Sequence, residues 1–284
     1  EHDCHARWAK SIDFYSFELQ SNHLKEDLSM QILNFINPDS YYVTITEPLK
    51  QTLRIKRKEN VSKLNVSNPT LKRITNKTGY WCNLGTLFEL SHHFNITQKY
   101  LLANLMFIKT KNSFPILFQN FELDASLARV LGHIIGDGGI HVNKLGSKYR
   151  AFYVNNNSKL LDSFRADIDM IFPKAKIYFR ERDGRGDEIW LPSTIGRIFY
   201  EILEYEKNNN FKKVPQIIKS VDNPKLICSF LQALYDDEGY LYPTKKMVVI
   251  AQVNENLLAE IRDLVIKVGI KPNKIRIHTS RTRS

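Results

Sequence analysis

The sequence predicts an α+β protein. It reads as two pseudo-symmetric αββαββα repeats, the second truncated, packed through one motif helix each. A mainly helical N-terminal domain containing a helix-turn-helix precedes them. Three observations carry this. An apolar helix ending in an acid and a glycine occurs twice, as Leu127 to Gly138 (LARVLGHIIGDG) and Ser229 to Gly239 (SFLQALYDDEG), with its acids Asp137 and Glu238 101 residues apart. A second helical pattern also returns: Asn157-x-x-Leu160-Leu161-x-x-Phe164-Arg165-x-x-Ile168 matches Asn254-x-x-Leu257-Leu258-x-x-Ile261-Arg262-x-x-Val265 at an offset of 97. Between these helices lie stretches of alternating apolar and polar residues bounded by Gly, Pro and Asn, the pattern of strands. The expected boundaries are 1–120, 121–222 and 223–284.

Residues 1–120 start with a helical stripe, Leu24, Leu28, Ile32 and Phe35, ended by Asn37-Pro38-Asp39. His2, Cys4 and His5 read as part of a terminal segment rather than a metal cluster. Tyr41 to Ile45 and Thr52 to Lys56 alternate as a hairpin would. Arg54 to Arg73 is basic and polar, either a DNA-contacting surface or a solvated face. In residues 85–107, Leu87, Phe88, Leu90 and Phe94 form one helical stripe. Asn95 tolerates a tight left-handed turn, Thr97 caps a second helix, and Tyr100, Leu101 and Leu105 continue it. This is the helix-turn-helix, with Gln98, Lys99 and Asn104 on or near its recognition helix.

In the first repeat Asp124 caps the motif helix. Ile140 to Leu145 and Tyr149 to Asn155 form a hairpin around Gly146-Ser147. An amphipathic helix opens at Asn157 and stops at Pro173. Lys174 to Asp183 reads as a strand with Ala175, Ile177 and Phe179 inward, and Lys176, Tyr178, Arg180 and Arg182 outward. A strand over Asp187 to Leu191 and a helix over Ser193 to Leu203 complete the unit. A sheet covered on one side by helices leaves its other face free. Tyr153 and Asn155 are assigned to that free face beside the basic side chains, where cations neutralise phosphates and Asn, Tyr and Arg reach base edges. In the second repeat Tyr240 to Tyr242 and Lys246 to Val253 are the matching strands. Ile270 to Thr279 matches the basic strand, with Lys274, Arg276 and His278 outward and Ile275 and Ile277 inward. Lys246 joins the DNA-contacting set. The second repeat is read as incomplete at its C-terminus.

The small residues of the motif helices (Gly132, Gly136, Ala233) let two backbones approach closely, and a glycine after the acid can take φ > 0 and end the helix. Packed side by side, the helices place Asp137 and Glu238 at one end. Two neighbouring carboxylates repel unless a cation sits between them, so these acids are the candidate catalytic and metal-binding residues. At Val130 to Gly138 and Leu231 to Gly239 the sequence resembles the LAGLIDADG homing endonucleases, with Asp137 and Glu238 at the metal-binding acidic position of the motif. The resemblance implies divalent-metal-dependent hydrolysis of both strands of double-stranded DNA, with Mg²⁺ or another divalent cation as cofactor. It implies a monomer acting as a pseudo-dimer, a backbone carbonyl ligand from Asp237, and a basic side chain near the attacking water. Lys148, Lys245 and Lys246 are the candidates for that base.

Composition is consistent with this. A net charge of +11 over 284 residues suits a polyanionic partner. No apolar run is long enough for a membrane span. Cys4, Cys82 and Cys228 give no disulfide framework and suit an intracellular location, cytoplasmic or in an organellar matrix. A non-cleaving binder on the same fold is the competing reading, either an RNA splicing maturase or a helix-turn-helix regulator. An intein is disfavoured, since no nucleophile opens the sequence and no His-Asn pair closes it.

Overall fold

The computed structural model describes residues 35–59, 66–118, 122–205, 212–245, 247–252 and 254–275. The stripe residues Leu24, Leu28 and Ile32, the His2–Cys4–His5 group, and Lys246, Val253, Arg276 and His278 lie outside them. The fold is α+β with antiparallel sheets. One connected core of buried apolar side chains runs from Ile36 to Val265. No helix among the described residues is long and apolar enough to cross a membrane.

The first unit begins with a tight turn over Pro38–Ser40 that leads into β1 (Tyr41–Ile45). Thr52 to Lys56, expected as the second strand of a hairpin, lies instead inside α1 (Glu47–Glu59). Leu49 and Leu53 recur at helical spacing and are both buried, which outweighs the short alternation at 52–56. α2 (Asn68–Asn76), β2 (Cys82–Asn83), α3 (Leu84–His93), α4 (Gln98–Ala103), β3 (Leu105–Thr110) and β4 (Ile116–Leu117) follow. The strands form a sheet in the order β2-β1-β3-β4.

The turn between α3 and α4 forms as its residues require. Asn95 takes φ 53°, and the Thr97 hydroxyl accepts from the Tyr100 amide at 3.3 Å. The second helix stops at Ala103, and Leu105 starts a strand. Asn104 is buried and bonded to Thr46 and the Tyr100 carbonyl, so it serves this junction and is withdrawn from any groove.

The next unit runs α5 (Ala125–Ile135), β5 (Gly139–Val142), β6 (Tyr149–Asn155), α6 (Ser158–Ile171), β7 (Tyr178–Arg180), β8 (Asp187–Trp190) and α7 (Ser193–Ile202). Its sheet order is β5-β6-β8-β7. Asp124 caps α5 through the Leu127 amide at 2.8 Å, and Asn157 caps α6. The Arg129 guanidinium on α5 pairs with the buried Asp167 on α6, tying the two helices. α7 carries the anchor for the first unit. The Glu201 carboxylate accepts from the Asn37 amide (2.8 Å) and the Tyr41 hydroxyl (3.0 Å), and Arg197 reaches Ser40.

After α8 (Gln216–Lys219) come α9 (Pro224–Glu238), β9 (Gly239–Tyr242), β10 (Met247–Ile250) and α10 (Glu255–Lys267). β9 and β10 pair as a two-stranded sheet. The basic strand expected from Ile270 onward is not formed over the described residues 271–275, and Ile275, expected inward, is exposed. A strand needs a hydrogen-bonding neighbour, and neither β9 nor β10 pairs with this segment among the described residues.

Candidate active site

The two motif helices, α5 and α9, pack against each other through their small residues. A Cβ at Gly132 would lie 2.6 Å from the Phe230 carbonyl and 2.8 Å from the Ala233 Cβ, so only glycine fits there. One turn on, a Cβ at Gly136 would run into the Asp237 side chain. The glycines that follow the acids serve close approach rather than a left-handed turn. Gly239 has φ −93°, and a Cβ at Gly138 would lie 2.6 Å from the Phe152 carbonyl.

This packing brings the acidic ends together. Burial pushes the Asp137 carboxyl up to about 6, and the negative charges of Asp237 and Glu238 push in the same direction. Lys212 and His133 oppose them. Lys212 leads into α8, and its ammonium donates to the Gly136 carbonyl. Burial lowers its basicity, while Glu238, Asp137 and Asp237 hold its proton on. The four charged groups therefore share one region at the ends of the helices.

Each acid is oriented by an amide side chain. Asn155 Nδ2 donates to Asp137 Oδ2 at 3.1 Å, and Gln252 Nε2 donates to Glu238 Oε1 at 2.6 Å. The two amides occupy matching places in the repeat, at the same 97-residue offset as the Asn157 and Asn254 caps. A shorter acid is paired with a shorter amide, and a longer acid with a longer one.

The resemblance implies a role for the Asp237 backbone carbonyl, and the structure adds one for its side chain, which is fully buried between the helices. Tyr153 Oη donates to its Oδ1 at 2.6 Å, and His133 Nδ1 lies 3.0 Å from its Oδ2. A buried carboxylate needs such partners to offset the loss of water. Burial raises the Tyr153 hydroxyl, with Asp237 adding to the effect, so the phenol stays protonated and donates.

The Asp137 and Glu238 carboxylates are hard oxygen donors. Mg²⁺ takes such donors when waters and substrate phosphates complete its shell, so these residues fit a divalent cation. Among the described residues, no group of three or more His, Cys, Asp and Glu is arranged to hold a metal on its own.

The sheet beside this site differs from expectation in which face carries which residue. Tyr153 pairs with Ile189, and Phe179 pairs with Ile189 from the other side. Directly paired residues share a face. Tyr153 and Asn155 therefore point with Phe179 and Ile189 toward the helices, and the fully buried Tyr153 is withdrawn from the open face. The open face carries His141, Arg150, Phe152, Val154, Tyr178, Arg180 and Trp190 instead. Phe179, expected inward, is 54% exposed because β7 is the sheet's edge. Lys176 is exposed, with its ammonium 5.6 Å from the Tyr178 ring. Arg182 pairs with the buried Glu188 at 2.8 Å, and Arg180 lies 4.0 Å from the same carboxylate. The open face is thus less one-signed than β7 alone. Lys274 is exposed beyond α10. Gln98 and Lys99 sit on α4, in the first unit.

Several site residues went unassigned in the sequence. His133 was a visible signal, a polar residue within the apolar stripe of a motif helix. The Asn155–Gln252 match was latent in the repeat. Lys212 gave no local signal, because only the packing of α8 brings it to the acids. Lys148, a candidate for the basic residue, sits instead beside the Asn143 turn.

No family model matches the chain. Among curated proteins, three relatives come from Methanocaldococcus jannaschii; of these, a replication factor C small subunit is 25% identical over 250 residues, 84% of this chain and 13% of that protein. An uncharacterized protein is 28% identical over 54% of this chain and 57% of its own length. A glutamine–fructose-6-phosphate aminotransferase is 23% identical over 51% of this chain and 13% of its own. The chain therefore spans well under two thirds of each relative. Among solved structures, variants of the homing endonuclease I-DmoI are 25% identical with a TM-score of 0.44, covering 56% of this chain and 85% of theirs. The homing endonuclease I-WcaI bound to its DNA recognition sequence is 16% identical with a TM-score of 0.33, over 52% of this chain and 68% of its own. In its paired motif helices, with their acidic ends set side by side, the chain resembles the LAGLIDADG homing endonucleases.

Proposed function

We propose that the chain is a sequence-specific, divalent-metal-dependent DNA endonuclease of the homing type, hydrolysing phosphodiester bonds in both strands. The observation that carries this is the shared acidic end of α5 and α9, where burial and two neighbouring acids raise the Asp137 carboxyl. In this reading residues 121–222 and 223–284 are pseudo-symmetric halves related across the helix pair, and a monomer acts as a pseudo-dimer on duplex DNA. Residues 1–120 form the additional N-terminal domain.

Asp137 and Glu238 would hold the cation, Mg²⁺ or another divalent ion. When bound, that cation supplies an activated water and offsets charge on the scissile phosphate. Asn155 and Gln252 hold the two carboxylates in fixed orientations, which limits reorganisation as charge develops. Lys212 is the basic side chain at the acids. Its Nζ can hold or release a proton there, and burial lowers its basicity. Lys176, Tyr178 and Arg180 on the β7 side, with Lys274, face the duplex and take phosphate and base contacts. Gln98 and Lys99 on α4 extend the footprint.

The test is incubation of the purified chain with a duplex library and Mg²⁺, followed by mapping of the ends. Cleavage of both strands at defined sites is expected, lost with chelator and in Asp137→Asn and Glu238→Gln. Cleavage that survives both substitutions would remove the metal assignment. Tight RNA binding with no cleavage would favour the maturase reading.

A further inference from the structure

Asp237 has no counterpart in the first motif. The matching position is Gly136, which cannot carry a side chain without striking Asp237 itself. The partners of Asp237 are unmatched as well. His133 aligns with Leu234 in the second motif helix, and Tyr153 aligns with Ile250 in the second repeat. The bonds therefore run one way, from α9 into the first repeat.

They also close a ring. Tyr153 Oη donates to Asp237 Oδ1 (2.6 Å), and the same hydroxyl accepts from Asn155 Nδ2 (3.1 Å). That amide donates as well to Asp137 Oδ2 (3.1 Å), and the Asp137 backbone amide points back to Asp237 Oδ2 (3.4 Å). Two rings pack against the phenol, His133 at 4.7 Å and Phe164 at 4.8 Å, and its hydroxyl is held by Asp237 and Asn155. An equivalent ring cannot form around Glu238, because Gly136 and Ile250 have no polar side chains to build it.

We propose that Asp237 is a positioning residue for the Asp137 carboxylate alone, acting through Tyr153 and Asn155, so that the two acidic ends take up divalent cation unequally. This rests on the metal-binding reading above. Residues that orient a metal ligand typically change affinity by about 10- to 100-fold when altered. A residue that only packs the helix pair, or acts as a distant charge, would affect both ends alike.

The test is calorimetric titration of the full chain with Mn²⁺ in the absence of DNA. The variants are Asp237→Asn alone and in the Asp137→Asn and Glu238→Gln backgrounds. We expect Asp237→Asn to weaken Mn²⁺ uptake about 10-fold or more in the wild-type and Glu238→Gln backgrounds, and to add nothing to Asp137→Asn. Tyr153→Phe, which leaves the Asp237–His133 contact in place, should follow the same pattern with a smaller loss. It carries the test if Asp237→Asn does not fold. Equal losses in both single-acid backgrounds, or none in either, would overturn the proposal. Wild-type protein that takes up no Mn²⁺ would overturn both this proposal and the metal reading. Protein that takes up Mn²⁺ but cuts no duplex would overturn cleavage alone, and the cycle would still decide the role of Asp237.

Discussion

Asp137 and Glu238 occupy matching positions on the two motif helices, yet their surroundings are unequal. Asp137, at the surface, is tied through Asn155 and the buried Tyr153 to Asp237, and it stands beside a four-stranded sheet. Glu238 is followed directly by β9 of a two-stranded sheet, and Gln252 orients it from the loop beyond β10. The helices themselves meet through small residues on both, Gly132 and Ala233. Two helices that share a motif can therefore carry unequal acidic ends, provided that the residues beyond the helices differ.

The sharpest way to break this comparison is to remove each acid in turn. If both ends belong to one site, Asp137→Asn and Glu238→Gln should each lower cleavage on the order of 10²–10³-fold. Strand-resolved nicking kinetics would read this. Loss in one variant with full activity in the other would show that one end does no chemistry.

The next effect concerns the helix contact. Gly132→Val would drive its branches into the Phe230 carbonyl and the Ala233 methyl. Overpacking of this kind destabilises by about 1–3 kcal/mol. Urea unfolding should show a lowered midpoint with an unchanged slope. A neutral result would mean that the helices can slide apart, and the shared acidic end would lose its basis.

A smaller effect separates the two arginines near Glu188. Arg180 is largely exposed, whereas Arg182 holds the buried carboxylate at 2.8 Å. Arg180→Ala should weaken DNA binding and reduce the salt slope by about one, with stability unchanged. Arg182→Ala should instead cost stability, by about 1–3 kcal/mol for a buried acid that loses a partner. Anisotropy at several salt concentrations and thermal melts would separate them. If the two variants behaved alike, the open face would not be divided between binding and structural cations.

These expectations draw on different amounts of sequence. The helix pair was legible because a nine-residue pattern with an acid and a glycine at its end is repeated, and glycine at Gly132 has one physical use there. The caps Asp124 and Thr97 were legible from residue type and place, and the helix start at Asn157 from the pattern that returns at Asn254. The face of β6 was not, because parity depends on which residue of β8 stands opposite Tyr153, and that register is set by the whole sheet. Thr52 to Lys56 alternated over too few residues to outweigh the helical spacing of Leu49 and Leu53. Asp237 and Lys212 acquire their places only when α9 and α8 dock.

The smallest expected effect is on stability as a function of pH, and it bears directly on the unequal ends. The Asp137 carboxyl stands at about 6 in the folded chain, above its ordinary value of 3.8. Between those values the folded protein holds a proton that the unfolded chain has released. Stability contributed by this group is therefore fully present below about 4 and is lost as pH rises through about 6. Asp137→Asn carries no charge to repel, so in chelator it should melt higher than wild type at pH 7 and lose that advantage near pH 4. The carboxyl is only half buried, so screening limits the difference to about 1 kcal/mol or less. For a chain of this size that corresponds to roughly 2–4 °C per kcal/mol. Added Mg²⁺ should reverse the order at pH 7, because a bound cation favours the ionised acid that only the wild type has. A melting difference that stays flat from pH 4 to 7 would mean that Asp137 is not pressed by Asp237 and Glu238, and the crowding of acids at this end would have no energetic consequence.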